Sequence, residues 1–125
     1  CDFVREGLPY ISTHPDYNCP TETGFIPDAG AIHAFIRASA GREPDHIIGK
    51  PNRDIMDYLV AREGVDKART AMVGDRLYTD VAAGVNNGYT GILVLSGEAT
   101  MEDVKVSDVE PDLIFDSVKD MIPFL

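Results

Sequence analysis

The sequence predicts an α/β protein of the Rossmann-like class, with a parallel sheet flanked by helices. Three observations carry that expectation. From His46 onward, short runs of branched apolar residues alternate with amphipathic stretches. Gly, Pro, Asn and Asp punctuate the junctions, so the connections are tight. One run, 92–95, is apolar at every position, as a strand covered on both faces must be. At 125 residues and 44% hydrophobic, the chain has material for one modest domain or pieces of two.

Before His46 the rhythm is different. Residues 10–13 read as a strand, and 14–24 read as a polar loop containing Pro15 and Pro20. Residues 28–39 read as a helix with Ala31, Ile32, Phe35 and Ile36 on one face, followed by Gly41 as a C-terminal cap residue. Pro44 blocks continuation, which places a boundary near 41–45 and divides the chain into 1–43 and 44–125. His33 reads as a partly packed or surface histidine.

Beyond the boundary, 46–48 is expected as a buried strand and 52–63 as a helix. Asn52 is its expected cap, Asp54 lies in its first turn, and Ile55, Met56, Leu59 and Val60 form its apolar face. Gly64 suits its end. Residues 70–73 form the next strand, 74–78 a loop, and 79–87 a helix with Val81, Ala82 and Val85 inward. Gly88 closes that helix, 92–95 is a strand, Leu113–Phe115 a further short strand and 117–122 a final short helix.

A formal net charge of −10 argues against binding nucleic acid or anionic lipid, because such a surface repels phosphate. Eight acids against two lysines give residues 98–125 a charge of −6, read as a solvated, helix-rich face. No apolar run approaches the roughly 20 residues that would cross a bilayer, and no secretory signal is visible. Cys1 and Cys19 are read as reduced thiols, and the location as cytoplasmic.

In open parallel sheets, ligands bind beyond the carboxyl ends of the strands. Here those ends carry Gly49-Lys50-Pro51, Gly74-Asp75-Arg76 and Ser96-Gly97. Asp75 directly follows a strand and Asp80 lies five residues later in the next helix. Two carboxylates converging there could hold a hard cation such as Mg²⁺. Lys50, at a similar strand end, could bind a phosphoryl oxygen and neutralise charge on a reacting carboxylate. As an exposed loop lysine, Lys50 is expected to contribute little to stability.

These residues resemble the haloacid dehalogenase (HAD) superfamily of phosphatases, more narrowly its NagD-like subfamily with a C2-type α/β cap. Tyr10-Ile11-Ser12-Thr13-His14-Pro15-Asp16 looks like the cap segment, Ile48-Gly49-Lys50-Pro51-Asn52 like the lysine motif, and Met72 to Val81 like the acidic fourth motif. Ala83 to Gly88 and Leu93 to Gly97 match its usual continuation. The resemblance implies a Mg²⁺-dependent phosphate-ester hydrolase acting on small phosphorylated metabolites, sugar phosphates or nucleotides, through an aspartyl-phosphate. Carried onto this chain, Lys50 would orient nucleophile and phosphate, Asp75 would ligate Mg²⁺, and Asp80 would support the metal shell. His14, Asp16 and Asn52 would lie toward substrate.

The family's Asp-x-Asp pair, nucleophile and acid/base, does not occur in this sequence. The expectation is therefore the C-terminal portion of a HAD core with the end of its cap, inactive alone and able to self-associate through an exposed edge. The rival expectation is a non-catalytic α/β binding module of HAD-like or receiver-like fold.

Overall fold

The computed structural model describes residues 1–124, which form two compact units, Cys1–Gly49 and a second that begins at Lys50. The sequence places its boundary near 41–45. The units part later because the strand at His46 pairs within the first unit.

That first unit comprises α1 (Asp2–Arg5), β1 (Ile11–Ser12), β2 (Asn18–Thr21), β3 (Gly24–Pro27), α2 (Ala29–Ala40) and β4 (His46–Ile47). β1 and β4 are parallel, with Ile11 opposite His46 and Ser12 opposite Ile47. Asp45 locks this pairing. Its N–H donates to the Tyr10 carbonyl at 2.7 Å and its carboxylate accepts from the Tyr10 N–H at 2.8 Å. That backbone donor, followed by the Arg42 guanidinium, holds the Asp45 carboxyl below the usual carboxylate range.

Two expectations for this unit need correction. The segment expected as a loop over 14–24 contains most of a hairpin, in which β2 and β3 pair antiparallel from Asn18–Pro27 to Thr21–Gly24. Its two-residue turn, Glu22-Thr23, lacks the Asn-Gly or Asp-Gly signal by which such turns are read, and Thr21 Oγ1 instead donates to the Gly24 carbonyl at 3.1 Å. Helix α2 starts where expected, capped by Asp28, which accepts from the Ala29 N–H, and it ends on Gly41 at φ 71°. Its buried residues, however, are Gly30 and His33, while Ile32 and Phe35 are exposed. Gly30 lies against the Pro15–Asp16 backbone, where any Cβ would overlap, and its N–H donates to the Asp16 carbonyl at 2.7 Å. His33 hydrogen-bonds Ser12 Oγ and meets the Tyr10 ring edge-on. Close backbone approach and a satisfied polar contact, invisible to apolar periodicity, decide which side faces inward.

The second unit contains α3 (Asp54–Glu63), a 3-10 turn (Lys67–Arg69), β5 (Ala71–Gly74), a π-helical turn (Leu77–Val81), α4 (Ala82–Val85), β6 (Thr90–Val94), α5 (Met101–Val106), β7 (Leu113–Phe115) and a 3-10 segment (Val118–Phe124). The sheet is parallel, in the order β5-β6-β7, with Val73 opposite Ile92 and Leu93 opposite Ile114. β6 is central and buried on both faces. Leu93 joins Leu77, Val81 and Ala99 on one side, while Ile92 and Val94 pack with Met121 on the other. This is why 92–95 reads as uninterrupted apolar sequence.

Asn52 does not cap α3. Arg53 takes the cap position in helical conformation with no side-chain cap bond, and its Nε donates instead to Asp57 at 2.6 Å. Gly64, at φ 64°, ends α3 as expected. The helix expected over 79–87 opens as a π-helical turn, and its α-helical part is shorter. The wide turn is closed by the Val81 N–H donating to the Arg76 carbonyl at 3.1 Å. Such turns recur at functional sites because they re-aim one side chain. Helix α5 lies in the acidic stretch expected to be helix-rich, where the sequence reading set no bounds. Its signal is the capping box of Thr100 and Asp103, in which each side chain accepts from the other's backbone N–H.

A carboxyl-edge site built on Asp75, Asp80 and Lys50

Asp75 leaves β5 at the carboxyl edge of the sheet, and backbone groups hold it in place. Its Oδ2 accepts from the Glu98 N–H at 3.0 Å, and its main-chain carbonyl accepts from the Ala99 N–H at 3.0 Å. The turn after β6 therefore sits directly on Asp75. The approach is possible only because residue 97 is glycine, since a Cβ there would run into the Asp75 carboxylate. A cavity of about 410 Å³ opens beside these groups, with Asp75 and Ser96 on its rim and Val73, Val94 and Met121 on its apolar wall.

Asp80 is presented by the π-helical turn and differs from Asp75 in both burial and partner. Its side chain is only 7% exposed, and its Oδ1 accepts from Lys50 Nζ. Thr79 Oγ1 lies 3.5 Å from Oδ2, at the outer limit of a hydrogen bond. Gly74 makes room for this carboxylate, because a Cβ at 74 would overlap Asp80 Cβ and Cγ. The structure thus brings Lys50 and Asp80 together across thirty residues. The contact also bears on the expectation that Lys50 contributes little to stability, since Lys50 compensates a buried charge.

The remaining candidates lie elsewhere in the sequence. Asn52 follows Lys50 by two residues and precedes α3. His14 and Asp16 belong to the first unit. His14 Nε2 is 3.3 Å from Asp28 Oδ1, its Nδ1 is 3.9 Å from Asp16 Oδ2, and both neighbours serve the start of α2. Three residues to which the sequence reading gave no role, Arg76, Tyr78 and Glu98, complete the edge. Arg76 Nε donates to Glu98 Oε2 at 2.6 Å, and Tyr78 OH is 3.4 Å from Glu98 Oε1. The available signal was a pair of opposite charges, each just past a strand end: Arg76 after Asp75, and Glu98 after Gly97.

A hard divalent cation requires oxygen donors converging on one point. Among the described residues, no group of three or more His, Cys, Asp or Glu side chains has the arrangement to hold a metal ion. Mg²⁺ asks less of a protein, since it retains waters and is commonly bound through one or two carboxylates plus substrate oxygens. Asp75, a hard carboxylate on the cavity rim beside a neutral backbone donor, fits such an open site. Asp80 is already engaged by a cation.

The chain as a whole is similar to known proteins. Residues 47–121 match the family model described as HAD-hydrolase-like. An acid sugar phosphatase of Staphylococcus aureus (strain MRSA252) is 41% identical over 95% of this chain and 46% of its own length. The crystal structure of a 4-nitrophenylphosphatase from Thermotoga maritima superposes with a TM-score of 0.93 at 50% identity, covering 98% of this chain and 47% of that one. NagD from E. coli K-12 superposes at 0.81 with 36% identity, over 94% and 45% respectively. The chain spans under half the length of the relatives it matches. The lysine and acid motifs that the sequence sets in order, the parallel sheet that carries Asp75 and these matches agree: the chain belongs to the HAD-like hydrolases, among their NagD-like members.

Proposed function

We propose that the complete protein containing this chain is a Mg²⁺-dependent phosphatase acting in the cytoplasm on small phosphorylated metabolites, sugar phosphates or nucleotides. The observation that carries this reading is the pairing of Lys50 with buried Asp80, in the same unit that sets Asp75 at the end of a parallel strand. The names borne by its relatives, acid sugar phosphatase and 4-nitrophenylphosphatase, support the reaction class. Bound Mg²⁺ would supply charge stabilisation to a phosphoryl group at that edge. Asp75 would hold the cation. Lys50, kept in place by Asp80, would present its ammonium to a phosphoryl oxygen and to the attacking carboxylate. His14, Asp16 and Asn52 would act on substrate choice. No Asp-x-Asp occurs in these 125 residues, so the reading assigns nucleophile and acid/base to other residues of the complete protein.

The test is hydrolysis of p-nitrophenyl phosphate and a panel of sugar phosphates and nucleotides by the complete protein, titrated with Mg²⁺. Turnover that requires Mg²⁺ is expected, with Asp75→Asn raising the half-activating Mg²⁺ concentration more than Asp80→Asn does. The 125 residues alone should show no turnover. Mg²⁺-independent hydrolysis, or an unchanged Mg²⁺ requirement in Asp75→Asn, would overturn the reading.

A further inference from the structure

We infer that Arg76 and Glu98 form a positioning pair that fixes the direction of the Asp75 carboxylate, and so sets cation affinity at the sheet edge without touching the cation. This rests on the reading of Asp75 as the cation-binding carboxylate. A carboxylate on a flexible turn can rotate about two torsions, and a ligand that must first be ordered binds more weakly. Asp75 is held by the Glu98 N–H on Oδ2 and the Ala99 N–H on its carbonyl. Both donors belong to the turn that follows β6, which is a loop and therefore needs fastening.

The fastening is the Glu98 side chain. Arg76 Nε donates to Glu98 Oε2 at 2.6 Å, and Tyr78 OH approaches the other carboxylate oxygen at 3.4 Å. Arg76 is the residue immediately after Asp75, so the ion pair and the Glu98 N–H···Oδ2 bond close a small ring containing Asp75, Arg76 and Glu98. Gly97 allows this ring to shut, since a side chain there would push the carboxylate away. The pair is only partly buried, with the Arg76 and Glu98 side chains 20% and 46% exposed. Exposed ion pairs contribute little to overall stability, so the main effect of this one is on geometry. Partners that orient a metal-binding group from outside its contact shell are typically worth about 10–100-fold in affinity.

The experiment uses the complete protein and two readouts that do not depend on turnover. The first is calorimetric titration with MgCl₂. The second is hydrogen exchange at the Glu98 amide. Glu98→Ala and Arg76→Ala should each weaken Mg²⁺ binding by about 10-fold, with thermal midpoints near that of the parent protein. The double variant should lose little more than either single one. Glu98→Gln, which keeps the length and one acceptor, should restore part of the affinity. Arg76→Ala should speed exchange at the Glu98 amide by a similar factor, because its acceptor is no longer held. If Asp75→Asn abolishes Mg²⁺ binding but Glu98→Ala and Arg76→Ala bind within twofold of the parent, the positioning role is wrong while the proposed function stands. If Asp75→Asn binds Mg²⁺ like the parent, the cation-binding reading fails and the positioning role falls with it. Unchanged Glu98 exchange in Arg76→Ala also overturns the inference, whatever the affinity.

Discussion

Replacing Lys50 by methionine tests the central pair most directly. The change removes the ammonium but keeps a long apolar stem, so packing along the side chain is largely preserved. Asp80 stays buried, with Thr79 Oγ1 3.5 Å from its Oδ2. Removing one partner of a fully buried ion pair costs roughly 3–5 kcal/mol, because the other charge is stranded. An exposed pair is worth roughly 0–1 kcal/mol. This pair is intermediate: Asp80 is 7% exposed but Lys50 is 45% exposed, so water reaches one side of the contact. The expected cost is about 2 kcal/mol, near the middle of those limits, or roughly 30-fold in the folding equilibrium. Asp80→Asn should cost less, since a neutral amide needs no counter-charge. Lys50→Met combined with Asp80→Asn should be more stable than Lys50→Met alone, because the stranded charge is gone. Urea unfolding of the complete protein measures all three. If Lys50→Met lies within about 0.5 kcal/mol of the parent, or if the double variant is worse than the sum of the two singles, the lysine does not compensate Asp80 and the argument fails.

Gly74→Ala should destabilise by about 1–3 kcal/mol and lower turnover as well, because the new methyl displaces Asp80 from Lys50; a thermal melt and kcat with p-nitrophenyl phosphate check both effects. In the first unit, Asp45 is held below the usual carboxylate range by the Tyr10 N–H and then by Arg42. Its contribution to stability is therefore complete above the ordinary carboxylate range and is lost as pH falls through the lowered folded-state value. Asp45→Asn should flatten that part of the acid unfolding curve, and an unchanged curve would remove Asp45 from the account.

The second unit was the more legible in sequence, for a physical reason. β5, β6 and β7 are consecutive parallel strands with local helical connections, so each bears its own apolar signature, and both faces of β6 are covered within the same 76 residues. In the first unit the deciding contacts were not apolar. Gly30 against the Pro15–Asp16 backbone and His33 against Ser12 fix the inward side of α2. Turned outward, Ile32 and Phe35 made the periodicity point the wrong way. At the site, Asp75 was recognisable because it directly follows β5, and Lys50 because it lies in the short Gly-Lys-Pro turn three residues after β4. The Lys50–Asp80 contact was not, since it joins residues thirty apart through a turn wider than an α-helix, and nothing in local spacing announces such a turn. Arg76 and Glu98 were missed for a similar reason: each is an ordinary surface charge until β5 and β6 bring their strand ends together.

The partners of the two aspartates explain why similar acids in one motif should have different tasks. A backbone N–H is a neutral donor: it orients a carboxylate and leaves its full negative charge in place. Asp75 is held in this way, so its charge remains available to an incoming cation. A lysine ammonium brings a compensating positive charge, and a carboxylate engaged by it attracts a second cation far less. Asp80 is held in that way, and its burial makes the pairing obligatory. On the proposed reading, the electrostatics favour Asp75 over Asp80 for the cation, because Asp80 already has the lysine. On this argument Asp80→Asn should act through Lys50, with its larger effect on phosphate-dependent steps. Asp75→Asn should have its larger effect on the concentration of Mg²⁺ required. Measuring KM for substrate and half-activating Mg²⁺ side by side for both variants separates the two tasks. A common pattern in both variants would mean that the acids act as one cation-binding set.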